Sequence, residues 1–464
     1  VDEAHCISHW GHDFRPAYQQ LGLIKTQFPG KAVHAFTATA TPSVSSDIVS
    51  LLYADKPQAR VAPVDRTNLT YTVKPRRKKM EQLREVLDRH RGEAGIVYCL
   101  TRNEVEEVTA QLNGMGYDAV AYHAGFSDDL RRRHQELFVN EERNIMVATI
   151  AFGMGVDRSN IRWIAHLGMP KTLEHYQQET GRAGRDGLPA SCYLFYGGND
   201  FYLHRKWIED SANRDVMTQK LDQMYTYCQT PGCRHKRISA YFGQSYDGQN
   251  CNACDYCLGD YEIHNDSADI ARKIVTCVDE LVRWSGYGFG AAYVTDVLCG
   301  ADTGRLRDNG HAALSSYGCL SDSSRSFVRD AIELLVLQDV LERSEEYKAL
   351  TPGYRADEAL DGTIDIRFSA ERKTAKKDTP TRFRQSIDQD TDTALLDILR
   401  GIRRQLARGK PAYHVFSDRS LAHMAAIKPV NAAEFMEVSG VGEQKCRQYA
   451  QAFTAAIREY LGCE

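Results

Sequence analysis

Residues Gln177 to Gly187 read QQETGRAGRDG, and the strand–helix alternation around this run decides the fold. The spacing predicts Arg182 and Arg185 on one helix turn, three positions apart. Two guanidiniums so placed suit a polyphosphate: one can touch the terminal phosphate while the other neutralises charge developing on it. Upstream, Ala148 to Asp157 (ATIAFGMGVD) is a strand running into a loop. Its Gly153 and Gly155 allow the backbone a close approach to phosphate or nucleic acid. Gly95–Cys99, Asp118–Tyr122, Asn144–Ala148 and Trp163–Leu167 read as strands, with helical runs Lys78–Arg89 and Asn103–Leu112 between them, and Ala32–Thr37 as one more. Strands separated by helices of this length imply a parallel α/β sheet across roughly the first 200 residues.

At the other end of this region stands Asp2-Glu3-Ala4-His5. A strand-end Asp can hold the hydration shell of Mg²⁺, and the neighbouring Glu can orient and deprotonate an attacking water. Thr37-Ala38-Thr39-Ala40 follows the Ala32–Thr37 segment, and small hydroxyl residues there could link a phosphate-sensing loop to a second lobe. Between them lies Cys6 to Pro16, CISHWGHDFRP. Trp10 and Phe14 offer stacking faces for bases, each worth about 1–3 kcal/mol. His12 and Arg15 can reach a phosphate or the acidic motif.

Bulk properties are neutral on ligand. The 464 residues are 42% hydrophobic with a net charge of −4, so any nucleic-acid contact must come from local patches. No apolar run approaches the ~18 residues of a membrane span. Thirteen cysteines, an odd number without a secretory signal, suggest a reducing compartment and metal ligation rather than disulfides; the cytoplasm is the expected location. The chain opens on Val1 inside a motif, from which a missing N-terminal segment is expected.

Taken together, DEAH, TATA, AFGMGVD and QQETGRAGRDG resemble a superfamily 2 helicase, and CISHWGHDFRP narrows the resemblance to the RecQ family. It implies a fold of RecA-like parallel-sheet lobes, the first partial, then a zinc-binding helical subdomain, a winged helix and a C-terminal HRDC helical bundle. The boundaries expected are 1–62, 63–200, 201–262, 263–357 and 391–464, with a linker over 358–390. Asp2, Glu3, His5, Arg182 and Arg185 become candidate catalytic residues. Thr37, Thr39, Gly155, Asp157 and Gln178 become candidate nucleotide-coupling residues, and Trp10, His12, Phe14 and Arg15 DNA contacts. Arg158-Ser159 stand where the family often has Lys-Pro.

Cys251, Cys254 and Cys257 form C-x-x-C-x-x-C, with Cys233 and Cys228 upstream. Four thiolates suit a closed tetrahedral Zn²⁺ site, and three close cysteines plus a distant fourth also fit a [4Fe–4S] cluster. The family pattern, matched by Cys233-Arg234 and Tyr241-Phe242-Gly243, implies zinc and selects Cys233. In the winged helix, a recognition helix is expected to begin near Asp322–Ser326, bringing Arg325 and Arg329 to phosphates, with a wing hairpin near Val340–Leu350. In the HRDC segment, Val438-Ser439-Gly440-Val441-Gly442 carries the match, and Lys410, Arg419 and Lys445 are candidate DNA contacts.

The resemblance implies an ATP- and Mg²⁺-dependent 3′-to-5′ unwinding motor of recombination, repair and replication. Forks and junctions are its substrates, single-strand-binding protein a candidate partner, and the nucleoid its place of action. A G-x-x-x-x-G-K-[ST] phosphate cradle is absent from the 464 residues, so this chain is expected not to hydrolyse ATP by itself. A non-catalytic DNA-binding or strand-annealing protein is the alternative of a different class. An RNA helicase or chromatin remodeller is a third, disfavoured by the zinc, winged-helix and HRDC order.

Overall fold

The computed structural model describes every residue except 154–157, 210, 212, 264–265, 345–346, 365, 372–391, 408–409 and 463–464. It forms two units. The first is built on a six-stranded parallel sheet: β1 Leu69–Pro75, β2 Ala94–Tyr98, β3 Ala119–Tyr122, β4 Ile145–Ala148, β5 Ile161–His166 and β6 Ala190–Tyr196, in the order β1-β6-β5-β2-β4-β3. The central strands β2, β4 and β5 are buried along their whole length, as parallel strands covered by helices on both faces must be. Strand β1 lies at an edge and alternates, with Leu69, Tyr71 and Val73 turned inward. Strands β1 and β6 fall outside the expected set; the polar alternation of β1 hides it from a search for apolar runs.

Ala32–Thr37 does not form a strand. It bonds instead to the chain start, Phe36 N to the Val1 carbonyl and Ala4 N to the Phe36 carbonyl, both 2.9 Å, which places the acidic motif beside Thr37. The helix Leu173–Thr180 ends at Gly181, so Arg182 and Arg185 lie on a turn rather than on a helix turn as expected. The cause is local. Gly184 takes a left-handed φ of 57°, and a Cβ there would meet Asn68 Nδ2 at 2.5 Å and the Leu188 carbonyl at 2.7 Å. Only glycine tolerates both conditions.

The same unit contains the C-terminal bundle, whose helices Thr393–Ala407, Asp418–Ile427, Ala432–Met436 and Glu443–Leu461 close around Phe416, Phe435 and Phe453. The second unit contains a winged helix. Helices Ser267–Ser285, Ala291–Leu298 and Arg325–Leu337 share one core, and Leu341–Arg343 pairs antiparallel with Ala349–Pro352 as the wing. The recognition helix starts at Arg325, capped by the Ser324 hydroxyl, within the expected window. Part of the stretch expected as linker from 358 packs into this unit instead. Ala356–Leu360 is helical, and Ile364, Ile366 and Phe368 bury into the winged-helix core. Residues 367–384 carry seven Lys/Arg against two Asp/Glu, and most of this stretch lies outside the described residues.

Gly95 lies against the fully buried Trp163, where a Cβ would fall 1.9 Å from the indole. Gly95→Ala is therefore expected to lower stability by about 1–3 kcal/mol through overpacking, read as a reduced urea midpoint. An unchanged midpoint would contradict this packing.

Candidate nucleotide and nucleic-acid site

The acidic motif, the hydroxyl run and the arginine turn meet in one cleft of about 1180 Å³, lined by Asp2, Glu3, His5, Thr37, Thr39, Gln178, Gly153, Arg182 and Arg185 among others. These positions are up to 183 residues apart in sequence, Asp2 to Arg185, so their convergence is a product of the fold. Gly155 and Asp157 lie outside the described residues.

Each wall is held by specific bonds. Glu3 has a left-handed φ of 48°, unusual for a side-chain-bearing residue and a feature of strained functional positions. Its carboxylate lies 3.3 Å from His5 Nδ1, which also shares a 2.9 Å hydrogen bond with the Thr37 hydroxyl. The Thr37 hydroxyl accepts from Thr39 N at 3.3 Å, and Gln178 donates to the Thr39 hydroxyl at 3.2 Å. One chain of contacts thus runs from Glu3 through His5, Thr37 and Thr39 to Gln178, joining the acidic motif to the helix that precedes the arginine turn.

The turn is gripped from behind. Arg66 donates to the carbonyls of Gly181, Ala183 and Gly184, and Asn68 to those of Gly184 and Leu188. The Arg182 guanidinium bonds the Gly153 carbonyl, tying the turn to the glycine loop. Nothing local in the sequence marks Arg66 or Asn68, because their partners lie more than a hundred residues away.

In the aromatic loop, Trp10 is exposed and Phe14 stacks on His9 with ring centres 3.9 Å apart. Arg15 is exposed and pairs with Asp13, which also accepts from the Cys6 thiol. The loop therefore presents an indole and a guanidinium to solvent. His12 does otherwise. It is buried, stacked on His5 at 4.5 Å and edge-on to His175 at 4.7 Å, so it reaches the acidic motif. Burial and its two histidine neighbours push its pKa well down, and burial, reinforced by Lys171, takes His175 to about 3. Burial likewise lowers His5, against the opposing charge of Glu3. All three shifts favour the uncharged imidazole in this stack.

The sulfurs of Cys233, Cys251, Cys254 and Cys257 lie within 4.8 Å of one another. Tetrahedral Zn–S bonds of about 2.3 Å put sulfurs about 3.8 Å apart, so the group fits zinc. Cys228, the competing candidate, is buried outside this group. The Cys251–Cys254 knuckle is fastened to edge strand β1: Tyr71 N donates to the Ala253 carbonyl at 3.0 Å, and His235 bridges Asp65 and that same carbonyl.

Among the C-terminal candidates, Arg329, Lys410 and Arg419 are exposed, whereas Arg325 is paired with Asp296. Lys445 is half-buried with its ammonium 5.1 Å from the centre of the Phe416 ring, so it packs on the bundle core and burial lowers its pKa.

Comparison with known proteins agrees with this layout. Residues 78–187 match the helicase conserved C-terminal domain, 198–258 the RecQ zinc-binding domain, 262–377 the RQC domain and 392–457 the HRDC domain. The chain is similar to ATP-dependent DNA helicase RecQ of Bacillus subtilis, 36% identical over 99% of this chain and 76% of the relative. It is equally similar to that of Pasteurella multocida, 36% identical over 99% and 73% respectively. ATP-dependent DNA helicase Q-like 4B of Arabidopsis thaliana is 31% identical over 98% of this chain and 44% of its own length. No helix among the described residues is long and apolar enough to cross a membrane.

The buried His175 sets a pH test. Unfolded, it titrates near ~6.5; folded, it titrates near 3, so acid favours the unfolded state as pH falls through that window. The stability of wild type relative to His175→Gln is expected to be largest above about pH 6.5 and to shrink toward about pH 3. A difference constant with pH in urea titrations would contradict it.

Proposed function

Since the chain belongs to the RecQ family of DNA helicases, we propose that its cleft serves ATP-driven, 3′-to-5′ unwinding of duplex DNA. The single observation that supports this reading best is the convergence of Asp2, Glu3, Thr37, Thr39, Gln178, Arg182 and Arg185 on one cleft beside an aromatic loop. Asp2 and Glu3 would hold the hydrated Mg²⁺ and orient water, and ATP supplies the phosphoryl bond whose cleavage drives movement. Arg182 and Arg185 stand ready to neutralise charge on the phosphates, their turn preorganised by Arg66 and Asn68. The Glu3–His5–Thr37–Thr39–Gln178 chain would carry the nucleotide state across the cleft. Cys6 to Pro16 would report on DNA, with Trp10 stacking on a base and Arg15 on a phosphate.

Zinc at Cys233, Cys251, Cys254 and Cys257 would be structural, since four thiolates leave no open position for a reactant. The 464 residues contain no G-x-x-x-x-G-K-[ST] run, so hydrolysis requires a phosphate cradle supplied by further sequence. Action at forks or junctions in repair, recombination and replication, and partnership with single-strand-binding protein, belong to the same reading.

Three measurements test it. Joined to an in-frame segment carrying a phosphate cradle, the protein is expected to show DNA-stimulated ATPase, and Arg185→Ala to reduce its turnover by about a thousandfold or more. Full turnover in that variant would refute the arginine's role. For the 464-residue chain, Trp10→Ala is expected to weaken binding of a labelled single strand by about 5- to 150-fold at fixed salt, and unchanged affinity would remove the indole from the interface. In elemental analysis, Cys233→Ser should lose bound zinc while Cys228→Ser keeps it; the reverse result would reassign the fourth ligand.

A further inference from the structure

The C-terminal bundle meets the sheet through charge. Glu141, in the turn before β4, accepts two hydrogen bonds from Arg403, both 2.9 Å. Arg403 also pairs with Asp418 at 2.7 Å, and Asp418 with Arg400 at 3.0 Å. Asn160, just before β5, closes the group. Its amide nitrogen donates to Glu141 at 3.0 Å and to Asp418 at 3.4 Å, while its oxygen accepts from Arg158 at 2.9 Å. Glu141, Asn160, Arg158, Arg403 and Asp418 are all buried. Glu141 reaches this position from a left-handed φ of 63°, a conformation that costs energy in a residue with a side chain.

The network does not stop at the domain contact. The Asn160 carbonyl accepts from Arg162 Nε at 3.2 Å, and Arg162, itself buried, pairs with Asp186 at 2.5 Å. Asp186 is the neighbour of Arg185 in the arginine turn and receives Leu188 N at 3.1 Å. Gly184 N bonds the Ile161 carbonyl at 2.9 Å, so the turn is bound to the start of β5, beside the bundle contact. The side-chain links each engage a charged group, and such buried networks form or fail together because a lone buried ion is strongly unfavourable.

We propose that the C-terminal bundle is a positioning element for the arginine turn. Seated on Glu141 and Asn160, it stiffens the Asn160–Arg162–Asp186 chain and so fixes Arg182 and Arg185; lifted away, it takes Arg403 from Glu141 and Asp418 from Asn160, and the turn relaxes. Glu141, Arg403 and Asp418 are thus positioning residues, far from any reacting atom. The functional consequence rests on the reading of the two arginines as facing phosphate. The coupling does not, because it is measured without nucleotide.

The experiment is amide hydrogen exchange on the whole 464-residue chain, comparing wild type with Glu141→Lys and Glu141→Gln. Glu141 touches neither Arg162 nor the turn in the described contacts, so a purely local role would leave residues 184–188 unmoved. Exchange is expected to rise by at least about tenfold both in 416–421 of the bundle and in 184–188 of the turn. Protection in β2 and in Phe453–Ile457 should stay at the wild-type level, showing that sheet and bundle remain folded. Faster exchange in 416–421 with an unchanged turn would overturn the coupling, and no change in either would overturn the docking itself. If Glu141→Lys loosens the entire chain, Glu141→Gln, which keeps the shape and removes only the charge, is read by the same two criteria. Loss of coupling here with intact DNA-stimulated ATPase in the cradle-bearing protein would sink this proposal and leave the helicase reading standing.

Discussion

The grip of Arg66 and Asn68 on the carbonyls of Gly181, Ala183, Gly184 and Leu188 is the interaction on which the rest of the site depends. A turn that leaves a helix after Thr180 has carbonyls with no helical partner, and burying them bare would be costly. Two side chains from the strand entry beside β1 satisfy them. That frees Gly184 to take its left-handed conformation, aims Arg182 and Arg185 at the cleft and brings Asp186 to Arg162. A flexible turn would present the same two charges with no fixed geometry, and preorganisation is what makes such charges useful to a reaction.

From this anchor the structure extends in two directions. Toward the cleft, Gln178 reaches Thr39, and Thr39, Thr37 and His5 lead to Glu3. Away from it, Arg162 and Asn160 lead to Glu141 and the bundle. Neutral histidines back the first path, ion pairs the second. The difference is physical: burial holds the histidines of the first path uncharged, whereas a docking contact gains specificity from charges that only one partner can satisfy.

The motif chemistry was legible early. DEAH, the arginine run and the C-x-x-C-x-x-C spacing each carry residue types that few folds need at such intervals, and family resemblance drew them together. The central strands were visible as apolar runs because parallel strands are buried on both faces. Edge strand β1 and the buried residues after Leu360 were not: Thr70, Thr72 and Lys74 dilute the first, and Ile364, Ile366 and Phe368 are too sparse among polar residues to announce a buried stretch. Lys445 and His12 show the same limit, since a side chain's charge type says nothing about whether the fold turns it to solvent or to an aromatic ring.

By itself, then, the sequence determined the family, the order of modules and the identity of the metal-binding and acidic residues, because these reside in short-range spacing. Tertiary structure decided what spacing cannot encode. It made a turn of the expected helical arginines, because Gly184 and the partners of its neighbours' carbonyls lie where Arg66 and Asn68 reach them. It chose Cys233 over Cys228 by bringing its sulfur to the other three. It also joined the C-terminal bundle to the sheet through Glu141, Asn160 and Arg403, residues 262 positions apart at the extremes, where burial turns ordinary charges into a committed contact.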